Sequence, residues 1–116
     1  MDLTKKHCVP CEGGMPPLTS EKEEEMLKLV QHDNGGWILL RDGVHRLHRK
    51  FKFKDFKSAM EFVNKIADLA EGENHHPDFK IVYNKVGLDL STHSIGGLSE
   101  NDFIMAAKIN RLTANN

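Results

Sequence analysis

Two adjacent histidines, His75 and His76, lie in the segment ENHHPDF and are followed at once by Pro77. Helices and strands direct neighbouring side chains to different faces, so an adjacent pair seldom serves one packing purpose. An imidazole has a pKa of about 6.5 and can therefore give or take a proton near neutral pH. The doublet thus indicates a functional loop, and Pro77 keeps the backbone of His76 out of helical geometry.

A third histidine, His93, is expected beside the doublet. The runs FKIVYNKV and GLDLSTH are rich in β-forming residues, meet near Gly87 and predict a hairpin whose second strand ends at His93. The open end of a hairpin brings the start of one strand beside the end of the other. The residues expected to converge there are Asn74, His75, His76, Ser91, Thr92 and His93, with Glu71 one helical turn away.

Two chemistries suit three converging histidines. One is a zinc site with three imidazole ligands and an open position. The other is general acid–base catalysis. The side chains of adjacent histidines point in different directions, so they can contact separate atoms of a substrate more readily than they can bind one metal ion. The spacing therefore favours acid–base catalysis. The remaining alternative is a set of loop histidines that only hydrogen-bond locally.

The first helix predicted from the sequence follows Thr19 or Ser20, either of which can cap it. Glu23 has the spacing that completes a capping box from Ser20. Gly35 and Gly36 are expected to end this helix.

A β-hairpin is predicted next, because Asp42-Gly43 is a strong tight-turn signal between the runs WILL and VHRLHRKFKFK. The second strand alternates, with Leu47, Phe51 and Phe53 on one face. Its other face is basic and carries Arg46, His48, Lys50, Lys52 and Lys54.

A long helix is predicted from a cap at Asp55 to about Ala70, with Gly72 as its stop. Its apolar residues recur at helical spacing and comprise Phe56, Ala59, Met60, Val63, Ile66, Ala67 and Ala70. A last helix is expected from Ser99 to about Thr113.

The resulting order is α-β-β-α-β-β-α, which predicts an α+β fold: a four-stranded antiparallel sheet with three helices on one face. Residues 1–17 are predicted to form an irregular, mobile N-terminal arm, and residues 18–116 a single domain.

Composition limits the function classes. The 116 residues carry a formal net charge of −1, which argues against a dedicated nucleic-acid or membrane-surface protein. No apolar run approaches the roughly 18 residues of a membrane helix, and no secretory signal is expected. We therefore expect a cytoplasmic protein, with the nucleus as a second location, in which Cys8 and Cys11 are thiols.

The remaining histidines and the cysteines give weaker signals. A lone Cys-x-x-Cys, even beside His7, is weak support for zinc, and its proline-rich surroundings argue against a redox site. His45 and His48 are expected on a solvated basic face. His32 is expected near a helix C-terminus.

The segment EGENHHPDFKIVYNKVGLDLSTHSIGGLSEND, residues 71–102, resembles the signature of the pterin-4a-carbinolamine dehydratase family. That signature combines an acidic residue, His-His-Pro, an aromatic residue, a later histidine and an aspartate. The matching positions are Glu71, His75, His76, Pro77, Tyr83, His93 and Asp102. The similarity extends back to the Trp37 segment and covers roughly residues 18–112.

The resemblance implies a dehydratase that converts 4a-hydroxytetrahydropterin, the spent cofactor of aromatic amino acid hydroxylases, to quinonoid dihydropterin. It implies no metal or organic cofactor. It also implies a homodimer, in which the sheets join edge to edge, or a homotetramer. Some animal members also bind a homeodomain transcription factor through a helical surface, so an interaction module that uses residues 55–70 is the alternative function.

The resemblance also implies roles for particular residues. His76 and His93 are expected to transfer protons, and His75 to bind and orient the pterin. Asn74, Ser91 and Thr92 are expected to contact the pterin. The expected supporting residues are Glu71, Pro77, Tyr83, Asp102 and Trp37. Glu71 either orients a histidine or is only a last-turn helix residue, and Tyr83 has the alternative of a core strand aromatic. Asp102 has the alternative of a capping-box residue spaced from Ser99, and Trp37 is expected in the core or the cavity wall.

Overall fold

The computed structural model describes residues 2–10, 15–31 and 36–114. Its helices are α1 (Ser20–Val30), α2 (Phe56–Glu73) and α3 (Glu100–Ala114). Its strands are β1 (Ile38–Leu40), β2 (Arg46–Lys52), β3 (Asp78–Val82) and β4 (Lys85–Leu90). Short 3₁₀ turns occupy Leu3–Lys5 and His93–Ile95. The order α-β-β-α-β-β-α confirms the predicted fold class.

The strands form one antiparallel sheet in the order β1-β2-β4-β3. Both predicted hairpins are present, and β2 pairs with β4 at the centre, from Leu47 opposite Leu90 to Lys52 opposite Lys85. Strand β3 therefore lies at an edge of the sheet.

The turn of the second hairpin lies at Tyr83-Asn84, so the prediction that the strands meet near Gly87 is wrong. Asn84 fixes this turn against the end of β2, because its side-chain amide donates to the Phe53 carbonyl and its carbonyl accepts from the Phe53 N–H, both at 2.8 Å. Tyr83 takes a left-handed φ of +52°. Gly87 lies within β4, opposite Lys50.

The core lies between one face of the sheet and the helices. The alternation predicted for β2 holds for Leu47 and Phe51, which are buried, whereas Phe53 is only partly buried. The face that α2 buries is rotated from the predicted one and consists of Ala59, Phe62, Ile66 and Ala70. Phe56 and Ala67, which were expected to be buried, are exposed, because the stripe through Phe62 is the one that meets the sheet.

Helix α1 is capped by Thr19, whose hydroxyl accepts from the Lys22 N–H at 3.2 Å. Glu23 does not complete a capping box. Its buried carboxylate instead binds Arg41 at 3.0 Å and His45 at 2.8 Å, which ties α1 to the β1–β2 hairpin. The helix ends at Val30 and not at the predicted glycines.

The predictions for the histidines and the glycine between α1 and β2 have different outcomes. His32 and Gly35 lie outside the described residues. His45 and His48 are partly buried and paired with carboxylates, His45 with Glu23 and His48 with Asp89 at 2.5 Å, so the prediction of a merely solvated face is wrong for both.

Helix α2 begins after Asp55, as predicted, and the Asp55 carboxylate accepts from the Ser58 N–H at 2.8 Å. Gly72 does not stop the helix. The helix continues to Glu73 and ends where Asn74 takes a left-handed conformation with φ +54° and ψ +40°. Asparagine is the residue that most often replaces glycine in this role.

A buried asparagine, Asn110, connects helix α3 to several other parts of the fold through its side chain. The Asn110 side-chain oxygen accepts from the Trp37 indole N–H at 2.8 Å and from the Arg49 guanidinium. Its amide donates to the Val30 carbonyl at 2.8 Å. Asn110 therefore links α3 to the end of α1, to the segment before β1 and to β2.

The substitution Asn110→Ala should lower the free energy of unfolding by about 2–4 kcal/mol, because it leaves a buried indole N–H, a guanidinium and a carbonyl without their partner. Urea unfolding at a fixed protein concentration measures this. Asn64→Ala, on the exposed side of α2, is the matched control and should change stability by less than about 0.5 kcal/mol. Equal losses in the two variants would contradict this account of Asn110.

Candidate active site

A cavity of about 440 Å³ opens at the end of the β3–β4 hairpin, where α2 ends and α3 begins. It brings together all six residues predicted to converge there. Its lining comprises Cys8, Val9, Pro10, Glu73, Asn74, His75, His76, Ser91, Thr92, His93, Ser94 and Asn101.

The end of α2 positions the histidine doublet. The backbone N–H groups of Asn74 and His75 both donate to the Ala70 carbonyl, which turns the chain out of the helix. Pro77 follows and is buried, so the two imidazoles stand on a short segment that is anchored at both ends.

His93 lies beyond the end of β4 rather than at it, which corrects the predicted strand end. It begins the 3₁₀ turn His93–Ile95. The Thr92 N–H donates to the Gly97 carbonyl at 2.8 Å and closes this loop. Gly96 has a φ of +71°, which lets the chain turn back.

Asp102 is fully buried and holds the site together. One carboxylate oxygen binds His75 Nε2 at 2.7 Å. The other accepts from the Thr92 hydroxyl at 2.8 Å and from the Ser99 N–H at 2.9 Å. The Ser99 contact is the helix-capping interaction that the spacing predicts, so Asp102 both caps α3 and contacts a site histidine. A hydrogen bond of this kind fixes the orientation of an imidazole and the nitrogen left for other partners.

The other two imidazoles have different surroundings. His76 is exposed, and its Nε2 pairs with Glu71 Oε2 at 2.5 Å. Because the Glu71 carboxylate is also exposed, this pair contributes little stability. His93 is exposed, and its imidazole makes no hydrogen bond with any residue in the described ranges. One imidazole is therefore held by a buried carboxylate, one by an exposed carboxylate, and one is available at both nitrogens.

Two predicted supporting residues lie away from the cavity. Trp37 is fully buried in the core, where its ring stands edge-on to Phe51 with centroids 6.5 Å apart. Tyr83 lies in the turn at the opposite end of the hairpin and is 65% exposed, so it is neither a core strand aromatic nor part of the cavity wall.

Sequence reasoning missed Glu73, Ser94, Asn101 and residues 8–10 of the arm as parts of this cavity. The expectation of a mobile arm is wrong for residues 2–10, since Leu3 is only 2% exposed and residues 8–10 lie against the cavity. Glu73 and Asn101 neighbour the signature residues in sequence, and that proximity is the signal that could have found them. Cys11 lies outside the described residues.

Two ionisable groups at the cavity have displaced pKa values. Burial would raise the pKa of Glu73, but hydrogen bonds from the Cys8 N–H, His7 and Lys108 outweigh it and lower this pKa to about 2. Burial, together with the negative charges of Glu73 and Asp102, raises the pKa of the Cys8 thiol to about 12. At neutral pH the cavity therefore has an ionised Glu73 and an un-ionised thiol.

The described ranges contain neither a cluster of metal ligands nor a membrane-spanning helix. In those ranges, no three or more His, Cys, Asp or Glu side chains are arranged to hold a metal ion. None of the helices described has the length and apolar character needed to span a membrane.

The fold and the cavity define an α+β protein with a candidate acid–base site built from three histidines. Residues 16–112 match the family model for pterin 4 alpha carbinolamine dehydratase. The chain belongs to this family, which confirms the resemblance found in the sequence.

Relatives that carry this name extend over nearly the whole chain. A protein of Methylococcus capsulatus, provisionally named a pterin-4-alpha-carbinolamine dehydratase, is 46% identical over 97% of this chain and 94% of its own. One from Halorhodospira halophila with the same provisional name is 44% identical over 98% of this chain and 100% of its own.

Two solved structures have folds similar to that of this chain. The crystal structure of a transcriptional coactivator/pterin dehydratase from Brucella melitensis is similar, with a TM-score of 0.74 and 36% identity over 83% of this chain and 97% of the other. A pterin dehydratase-like protein, identified as a RuBisCO assembly factor in the alpha-carboxysome, shares the fold at 20% identity and a TM-score of 0.58, covering 71% of this chain and 94% of its own.

Proposed function

We propose that this protein is a hydro-lyase that converts 4a-hydroxytetrahydrobiopterin to quinonoid dihydropterin and water. The observation that carries the proposal is that three imidazoles in three different environments line one cavity, in a chain of the carbinolamine dehydratase family. The cavity volume of about 440 Å³ is typical of a site for a small molecule.

The proposed reaction needs one proton donor and one acceptor. The C4a–O bond breaks, and the departing hydroxyl takes a proton from an imidazolium and leaves as water. The N5 lone pair forms the C4a=N5 double bond, and a neutral imidazole accepts the N5 proton. Help of this kind is typically worth about 10²–10⁴-fold in rate.

In this proposal His76 and His93 transfer the two protons, and His75 binds and orients the pterin. The contacts of His75 support its role, because a buried carboxylate holds its ring in one orientation. The ring of His93 has no hydrogen-bond partner among the described residues, which supports a role in proton transfer. Asn74, Ser91 and Thr92 lie in the same cavity and supply further polar groups for the pterin.

The proposed substrate places the protein in tetrahydrobiopterin recycling in the cytoplasm, downstream of an aromatic amino acid hydroxylase. The chemistry above needs neither a metal ion nor an organic cofactor, since the substrate supplies its own electron pair at N5.

We further propose that two chains join along the β3 edges of their sheets. In the single chain every residue of β3 is exposed, including Phe79 at 38% and Ile81 at 37%. These two apolar side chains belong to the face of the sheet that the helices cover elsewhere, since Phe79 is opposite Leu88 and Ile81 is opposite Val86. An edge strand of this kind readily pairs with a second strand.

Sedimentation should give a mass at least twice the chain mass of 13.2 kDa. Ile81→Glu should lower that mass, because a carboxylate would have to be buried at the joined edge. Leu29→Glu makes the same change at an exposed position on α1 and should leave the mass unaltered. A wild type that stays at the single-chain mass at every concentration would disprove the proposed dimer.

A second candidate function is that of an interaction module that stabilises a transcription-factor dimer. It is favoured by an apolar stripe on the outer side of α2, where Phe56 is 49% exposed and Met60 and Val63 are only partly buried. The name of the Brucella structure includes a coactivator. If this role dominates, His93→Ala should retain the partner as wild type does, whereas Met60→Glu should lose it.

The enzyme proposal predicts that His76→Ala and His93→Ala each slow the breakdown of 4a-hydroxytetrahydrobiopterin by about 10²–10⁴-fold, because each removes a proton-transfer group. A stopped assay of carbinolamine loss measures this, with circular dichroism to show that the fold persists. His48→Ala, whose imidazole pairs with Asp89 on the basic face of the sheet, should have wild-type activity.

Treatment with a chelator should leave the wild-type rate unchanged, and a loss of activity would favour the metal alternative.

Unchanged turnover in both His76→Ala and His93→Ala would contradict the assignment of these residues.

A further inference from the structure

Part of the cavity wall comes from the N-terminal arm, which the proposed proton chemistry does not use. Cys8, Val9 and Pro10 line the cavity beside the histidines. All other residues of the described lining carry polar or ionisable side chains, so this segment supplies the apolar part of the wall. We call it arm segment 8–10.

Glu73, at the end of α2, anchors the segment. Its carboxylate accepts from the Cys8 backbone N–H at 2.8 Å and binds His7 Nδ1 at 2.9 Å. Lys108 of α3 donates to the same carboxylate at 3.1 Å. The side chain of Glu73 is 8% exposed, so this charge is partnered on several sides and the arm supplies two of its contacts.

Asn101, at the start of α3, makes the second anchor. Its side-chain oxygen accepts from the Val9 N–H at 3.0 Å, and its amide donates to the Val9 carbonyl at 2.6 Å. Both backbone groups of Val9 are thereby engaged, as in a pair of strands. Asn101 is 4% exposed, so this reciprocal contact is made by a buried side chain.

The flanking parts of the arm are also attached to the domain. Leu3 is buried on the N-terminal side, and Lys6 pairs with Glu100. On the other side the Leu18 N–H donates to the Leu98 carbonyl at 2.8 Å. Pro17 approaches Gly97 so closely that a Cβ there would lie 2.7 Å from the proline ring. Residues on both sides of arm segment 8–10 therefore pack against the loop and helix that form the cavity.

We propose that arm segment 8–10 is a substrate-binding wall that contacts one flat face of the pterin ring through Val9 and Pro10. This inference rests on the proposed function. In a cavity whose other side chains are polar, the apolar contact favours a flat heterocycle over smaller polar molecules. The contact is the same before and during the reaction, so it lowers KM and leaves kcat unaltered.

The state of Cys8 agrees with a wall rather than a nucleophile. Its thiol is half-buried and lies 3.6 Å from the Asn101 carbonyl. The raised pKa keeps it un-ionised at neutral pH. A neutral thiol contributes apolar surface to the cavity.

The test uses the full chain and the carbinolamine assay. Val9→Ser and Pro10→Ser should each raise KM by about three- to tenfold, since each removes apolar contact with the ring, and should leave kcat within about twofold. The Val9 residue is 64% exposed, so its replacement leaves the core intact. Lys5→Ala, a change at an exposed position of the same arm away from the cavity, is the control and should keep the wild-type KM.

An unchanged KM in both serine variants would overturn the proposal, and so would a fall in kcat without a change in KM. If wild-type protein does not accelerate carbinolamine loss, it is the proposed function that fails. The binding role of arm segment 8–10 is then tested by equilibrium titration with 7,8-dihydrobiopterin. This ligand should bind Val9→Ser and Pro10→Ser more weakly than it binds wild type. Equal affinity for all three proteins, or no binding to the wild type, would contradict the proposed role of arm segment 8–10 in binding.

Discussion

The candidate site depends on one buried negative charge. Asp102 accepts hydrogen bonds from the His75 ring, the Thr92 hydroxyl and the Ser99 N–H, all between 2.7 and 2.9 Å. A buried carboxylate is stable only when its oxygens are well partnered. The three partners come from the segment after α2, the segment after β4 and the start of α3, so this single requirement brings three parts of the chain to one point.

The same two helix ends hold the histidines and the arm. At the end of α2, Glu73 binds the arm while His75 enters the cavity. At the start of α3, Asn101 binds the arm while Asp102 binds His75. A displacement of either helix end would thus disturb both the polar and the apolar walls. The sheet supports this arrangement because the β2–β4 pairing fixes where β4 ends and the loop to His93 begins.

Most of the fold follows from local patterns, but several details do not. Alternation and helical spacing predict the elements and their order, and the Ser99–Asp102 spacing predicts a helix cap. The contact with His75 is not predictable from that spacing, because it joins residues 27 positions apart. The sequence predicts breaks at Gly72 and Gly87, yet the left-handed conformations that turn the chain are at Asn74 and Tyr83. The arm was missed because its attachment depends on the distant residues Glu73 and Asn101.

The most direct measurement is the rate of 4a-hydroxytetrahydrobiopterin breakdown without protein, with wild type and with Asp102→Asn. Asparagine preserves the size of the side chain but has a single acceptor oxygen, so it cannot hold His75, Thr92 and the Ser99 N–H as the carboxylate does. We expect the wild-type rate to far exceed the protein-free rate, and kcat/KM of the folded variant to be lower by about 10²-fold. A folded Asp102→Asn variant with wild-type turnover, or a wild type no faster than buffer, would contradict this expectation.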